Sequence, residues 1–229
     1  MNIIYIKKRR KPSVITDQLV LHLDIQNSSS FTNSGNVWYD ISGEANHATW
    51  QGGSSYVVSN TGELNDGTDT FFFNSSTTSY FLCANNTPLS TNTGTFSIWF
   101  TGIGVNRRLA GQSATWEFLR SNEPPNYRFD LGGSNQIVSS TTGWGSGVWQ
   151  NMVVTWDSTA NTSKLYRNGS LVTSGTSVGS SSGALTIGRS PGGVTQMYNG
   201  SVSHVLYYHK VLSATEVEYN YDVMKNNHI

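Results

Sequence analysis

Charge and cysteine are both scarce in this chain. Asp, Glu, Lys and Arg make up 12% of its 229 residues, about half of the roughly 25% usual in a globular domain. The single cysteine, Cys83, excludes an intrachain disulfide and a cysteine-built zinc cluster. Among Tyr80, Phe81 and Leu82 it reads as a buried thiol in a strand. No apolar run approaches the roughly 18 residues of a membrane span. The stretch Ile3, Ile4, Tyr5, Ile6 precedes the basic residues instead of following them, and it is too short for the apolar region of a secretory signal.

What the chain has in quantity is Ser, Thr, Asn and Gly, 101 residues together, and 12% aromatics with seven Trp. The aromatics argue against disorder. The poor helix formers argue against a bundle. A strand-and-turn protein remains, and 229 residues suit a single sandwich or barrel.

The net charge of zero conceals an asymmetry. Lys7, Lys8, Arg9, Arg10 and Lys11 give residues 1–12 a charge of +5, so the remainder carries −5. The body lacks the basic footprint that phosphate contacts need. Residues 1–18 read as a basic arm and residues 19–229 as one domain. The arm has three readings. It touches nucleic acid or an acidic membrane, it adds residues 2–6 as a strand to a neighbour's sheet edge, or it is a frayed terminus.

About a dozen short strand-like segments follow one another at 8–12-residue spacing, the pattern of an antiparallel sandwich or jelly roll. Phe96-Ser-Ile-Trp-Phe100 alternates as a core strand does. Asn168-Gly169 marks a tight hairpin. Trp149 and Trp156, seven apart, fall on opposite faces of a strand. Ser213-Ala-Thr-Glu216 is a capping box opening one short helix, with Val217, Tyr221 and Met224 at helical spacing.

Several stretches resemble one known family. Trp38-Tyr-Asp-Ile-Ser-Gly-Glu-Ala-Asn-His47, Asp66-Gly-Thr-Asp69, Trp149-Gln-Asn-Met-Val-Val-Thr-Trp156 with Lys164-Leu-Tyr-Arg-Asn-Gly169, Leu185-Thr-Ile-Gly188, and Tyr198 through Glu216 follow in order the motifs of laminin-G-like, concanavalin A-like jelly rolls. Ile41, Glu44-Ala45 and Asn151 depart from that pattern. The resemblance implies an all-β, two-sheet antiparallel sandwich with one C-terminal helix.

It also bears on chemistry. Glucan hydrolases of the superfamily use paired carboxylates, commonly E-x-D-x-E on one strand, and no such run exists here. Glu117 and Glu123 are six residues apart across a turn, Asp66 and Asp69 form a loop pair, and Glu216 and Glu218 start a helix. No two of the five histidines have metal-ligand spacing on a helix. The chain is therefore expected not to be an enzyme. No cofactor is expected beyond a calcium ion of the kind laminin-G-like domains bind, with Asp40, Asp66, Asp69 and Asp157 as oxygen donors. Trp144, Trp116, Trp38 and Tyr127 are the candidate carbohydrate-binding aromatics, Trp144 foremost among its glycines.

The resulting expectation is a virion surface protein, a decoration or appendage subunit of a bacteriophage-like particle. Residues 1–12 would anchor it to other capsid subunits in an oligomeric assembly, with a glycan as a further ligand. A free carbohydrate-binding lectin and a glycan hydrolase are the alternatives.

Overall fold

Alternation of apolar and polar residues along short segments builds two sheets whose inner faces share a core. The computed structural model describes residues 13–32, 34–52, 57–58, 70–74, 79–84, 89, 91–102, 107–113, 116–120, 126–131, 135–140, 147–176, 179, 183–190 and 197–225. Trp144, Asp66, Asp69 and the arm residues 1–12 lie outside the described residues.

The strands are β1 (Leu19–Asp24), β2 (Val37–Trp38), β3 (Ala48–Gln51), β4 (Val57–Val58), β5 (Phe71–Phe73), β6 (Tyr80–Cys83), β7 (Thr93–Gly102) and β8 (Arg107–Ser113). They continue as β9 (Trp116–Arg120), β10 (Asn126–Leu131), β11 (Asn135–Ser140), β12 (Gln150–Asp157), β13 (Thr162–Arg167), β14 (Ser170–Gly175), β15 (Thr186–Ile187) and β16 (Gly200–Tyr208). One helix, α1 (Ala214–Lys225), follows. The first sheet runs β14-β13-β12-β7-β16-β5-β4, with β1 also paired to β16; the second runs β11-β10-β9-β8-β15-β6-β3-β2.

The inner core is aromatic. Trp116 meets Phe96, Phe129, Trp156 and Tyr207, and Trp38 meets Phe71 and Phe81. A second apolar cluster lies on the other face of the first sheet, where Trp99, Trp149, Val153, Tyr166, Leu206 and Tyr208 pack against Leu212, Val217 and Met224. Trp156 belongs to the inner core and Trp149 to the outer cluster, as their spacing requires. Helix α1 thus covers the first sheet from outside.

Local signals place the remaining pieces. Asn168 and Gly169 both have positive φ, 48° and 79°, which is the type I′ turn joining β13 to β14. The Ser213 hydroxyl accepts the Glu216 amide at 3.3 Å, and Glu216 accepts the Ser213 amide at 2.8 Å, so the capping box forms. Asn220 is buried on α1, while Tyr221 is half-buried and stacks on Trp99 with centroids 5.5 Å apart. Cys83 is buried, which pushes its thiol pKa up.

The packed body begins before residue 19. Val14 is buried in the outer cluster, the Ile15 amide donates to Asn220 Oδ1 at 2.8 Å, and the Tyr208 hydroxyl donates to the Ile15 carbonyl at 3.0 Å. Residues 13–18, grouped with the arm by charge, are part of the folded domain.

Candidate functional site

Three of the four aromatics nominated for a ligand are core residues. Trp38 and Trp116 are 0% exposed and Tyr127 is 5% exposed, so none offers a ring face to a sugar. The correction has a simple cause. Each sits at an inward position of a short strand whose polar neighbours made it look like a loop residue.

The described acidic residues also serve the backbone. Asp40 Oδ1 accepts the His22 and Ser42 amides, and Oδ2 accepts the Asn46 amide and the Ser42 hydroxyl, all within 2.8–2.9 Å. Asp157 Oδ1 accepts the Thr159 and Ala160 amides at 2.9 Å each. Both close turns. Asp40 has no oxygen left for a cation, so it does not fit a calcium site. Among the described residues, no three His, Cys, Asp or Glu side chains group as a metal set.

A Ser–His–Asp set does assemble in the first sheet. His204 Nε2 lies 2.9 Å from Asp24 Oδ1, and His204 Nδ1 lies 3.1 Å from Ser203 Oγ. Ser203 and His204 are 0% and 2% exposed, and a nucleophile must be reachable. The set ties β1 to β16 across the β-bulge at Ser203.

The outer face of the second sheet carries Glu117, weighed from the sequence only as a hydrolytic carboxylate, and Arg108, Arg128 and Asp130, which sequence reasoning passed over. On β9 and β10, Trp116, Phe118, Tyr127, Phe129 and Leu131 turn inward. Glu117, Arg128 and Asp130, at the alternate positions, turn outward. Glu117 stands directly opposite Asp130 on one side and Gly111 of β8 on the other, and Gly111 is opposite Thr186 of β15. Like charges in direct register repel, and two arginines offset this. Arg108 pairs with Glu117, which also accepts the Ser190 hydroxyl. Arg128 Nε donates to Asp130 Oδ1 at 2.7 Å.

The carboxylates are buried beneath guanidinium groups that stay partly open, the Arg108 and Arg128 side chains being 26% and 33% exposed. Burial lowers the Arg108 pKa, the Asp130 charge opposes that, and Arg128 reinforces it. Further along, the Arg189 guanidinium lies 3.6 Å over the Tyr80 ring. The face therefore presents forked donors over seated carboxylate acceptors. Such a set suits a ligand rich in hydroxyls.

Family comparison agrees with this architecture. The model of the concanavalin A-like lectin/glucanases superfamily matches residues 74–218. The chain belongs to that superfamily. No curated protein sequence matches it. Among solved structures, the superfamily chain is similar to domain 4 of AbnA, a GH43 extracellular arabinanase from Geobacillus stearothermophilus, solved in complex with arabinotriose. That likeness has a TM-score of 0.66 and 15% identity, over 90% of this chain and 98% of that one. The binding domain of Paraclostridial Mosquitocidal Protein 1 aligns with a TM-score of 0.67 and 16% identity over 92% of this chain and 53% of that one. The botulinum neurotoxin serotype D ligand binding domain, solved with N-acetylneuraminic acid, gives 0.64 and 15% over 91% and 51%. This chain thus spans about half of each toxin fragment. At these identities the likeness is one of fold.

Proposed function

We propose that the domain is a non-catalytic recognition module that binds a glycan on the outer face of its second sheet. The observation that carries the reading is the row of Glu117 and Asp130 under the Arg108 and Arg128 guanidiniums. Arg128 and Arg108 donate to sugar hydroxyls. The arabinotriose complex of a similar fold supports the ligand class. Both carboxylates are engaged by arginines, which leaves neither placed as the free acid of a hydrolytic pair.

The test is a glycan array with the wild type and Arg128→Lys, which keeps the charge and loses the fork. Binding that falls about tenfold, roughly 1.4 kcal/mol, at unchanged melting temperature supports the reading. Equal binding by both proteins refutes it. Sugar release from arabinan that disappears in Glu117→Gln would replace it with a hydrolase.

Display of this module on a virion, with residues 1–12 as anchor to other subunits, is the finer reading. The charge asymmetry between the +5 segment and the −5 remainder supports it. Co-sedimentation of the chain with a particle, lost when the five basic residues are changed to Gln, is the expected result. A chain that never sediments with a particle rules display out.

A further inference from the structure

The free edge of β14 lacks the protection that edge strands carry. Its sequence, Ser170-Leu-Val-Thr-Ser-Gly175, holds no charge and no proline, the usual devices against pairing. Leu171 and Val172 are 53% and 39% exposed. Among the described residues it pairs with β13 alone, and where it meets β11 of the other sheet no ladder joins them. The edge at β1 is different. There the His22 amide donates to the Asp40 carboxylate and the Ile41 amide donates to the His22 carbonyl, so the Asp40 turn closes that side.

We propose that the chain's own residues 2–6, Asn-Ile-Ile-Tyr-Ile, add to β14 as an antiparallel strand. Three observations converge on this occupant and this direction. The first is strand character, since the segment is β-branched and aromatic and at five residues spans most of the six of β14.

The second is reach. Ile15 is fixed to Asn220 of α1. The next helix residue, Tyr221, touches the β13–β14 turn, its ring lying 3.1 Å from where a Gly169 Cβ would sit. With Val14 buried in the outer cluster, the seven residues 7–13 extend up to about 25 Å, ample for that gap, and tethering at this range gives an effective concentration of about millimolar.

The third is charge. In the antiparallel direction Ile6 falls at the turn end of β14, so Lys7 to Lys11 leave beside Glu218 and Asp222. Both are exposed on α1 and flank Tyr221 in sequence. The parallel direction would bring the basic run to the far end of β14, across from the end of β12, where Asp157 serves the turn amides.

This docking concerns the chain by itself and is independent of the glycan reading, which lies on the other sheet. Hydrogen–deuterium exchange on the full chain and on Ile4→Pro, which removes a ladder donor, is the first measurement. The β14 amides that face away from β13 should exchange at least tenfold faster in the variant, with β12 and β16 unchanged. Identical exchange in the two proteins overturns the proposal. The second measurement pairs Ile4→Cys with Leu171→Cys, Val172→Cys or Thr173→Cys under oxidation. A disulfide within one chain is expected from at least one pair. Cross-linked dimers would assign the edge to a second copy and overturn the assignment to the chain's own segment, as would no cross-link from any pair.

Discussion

Acidification from pH 6.5 to pH 4 is expected to cost the fold about 3 kcal/mol through a single side chain, His22. This residue lies on β1, directly opposite Leu206 of β16, with Asp24 two residues further along its own strand. Burial lowers its pKa most, and His204 adds to that; Asp24 and Asp40 pull the other way and lose, leaving it at about 4 against an ordinary value of 6.5. Between those two values the unfolded chain takes up a proton that the folded chain refuses. The unfolded state therefore binds more protons, and stability falls as pH falls. The contribution is complete above pH 6.5 and gone below pH 4. A difference of about 2.5 pH units at 1.36 kcal/mol each gives roughly 3.4 kcal/mol as the upper limit.

The assay is urea unfolding at half-unit steps from pH 7.5 to 4.5, comparing the wild type with His22→Gln. The midpoint is read at constant slope, so that stability alone is compared. The neutral glutamine should be less stable at pH 7.5 but should lose about 2.5 kcal/mol less on the way to pH 4.5, so the two curves converge. Parallel curves would refute the reasoning, since the other titrating groups are common to both proteins. Asp24 acts further down the scale. Burial raises its pKa, but the His204 charge and hydrogen bond, with the Gln26 amide, outweigh that and leave it lowered. Its stabilisation holds above the usual carboxylate range and is lost as pH drops through the depressed value.

Other expectations follow from packing and backbone geometry. Gly200→Ala should cost about 3 kcal/mol or more in a thermal melt, because φ is +154° and a Cβ would strike the Thr101 carbonyl and lie 2.5 Å from Gly102 Cα. Gly43→Ala, with φ +105° and open space around it, should cost only about 1 kcal/mol, the backbone term alone. Trp116→Ala should lose about 3–5 kcal/mol, so any loss of glycan binding in that variant tracks unfolding, visible as a parallel loss of near-ultraviolet ellipticity. Ser213→Ala should cost about 1 kcal/mol by removing the cap of α1, measured by the urea midpoint.

The features legible in the sequence are those that neighbours in the chain decide. The I′ turn at Asn168-Gly169, the capping box at Ser213 and the opposite faces of Trp149 and Trp156 each follow from a few adjacent residues. Burial of Trp38 and Trp116 does not. Trp116 is enclosed by Phe96, Phe129, Trp156 and Tyr207, from four other strands, and nothing beside it in sequence announces them. The same holds for the row on the second sheet. Trp116-Glu-Phe and Tyr127-Arg-Phe-Asp-Leu131 alternate, yet Trp116 and Tyr127 are expected from the sequence to face a ligand, which is the reverse of the observed orientation. That Glu117 faces Asp130 depends on the β9–β10 register, which is set across a connection whose length gives no register.

This division bears on where function can reside. The motifs from Trp149 to Gly169, from Gly200 to Tyr208 and at Ser213 to Glu216 build β12, β13, β16 and the start of α1. Both faces of that sheet are then consumed, the inner one by the aromatic core and the outer one by the cluster under α1. Residues that make the chain recognisable are thereby committed to packing and can change little from one member of the fold to another without loss of stability. The outer face of β8, β9 and β10 carries charged side chains, with Arg108 and Arg128 partly open. Ligand choice can drift there while the scaffold stays fixed. Recognition of the superfamily therefore fixes the shape of this protein, and the proposed glycan site rests on Arg108, Glu117, Arg128 and Asp130 instead.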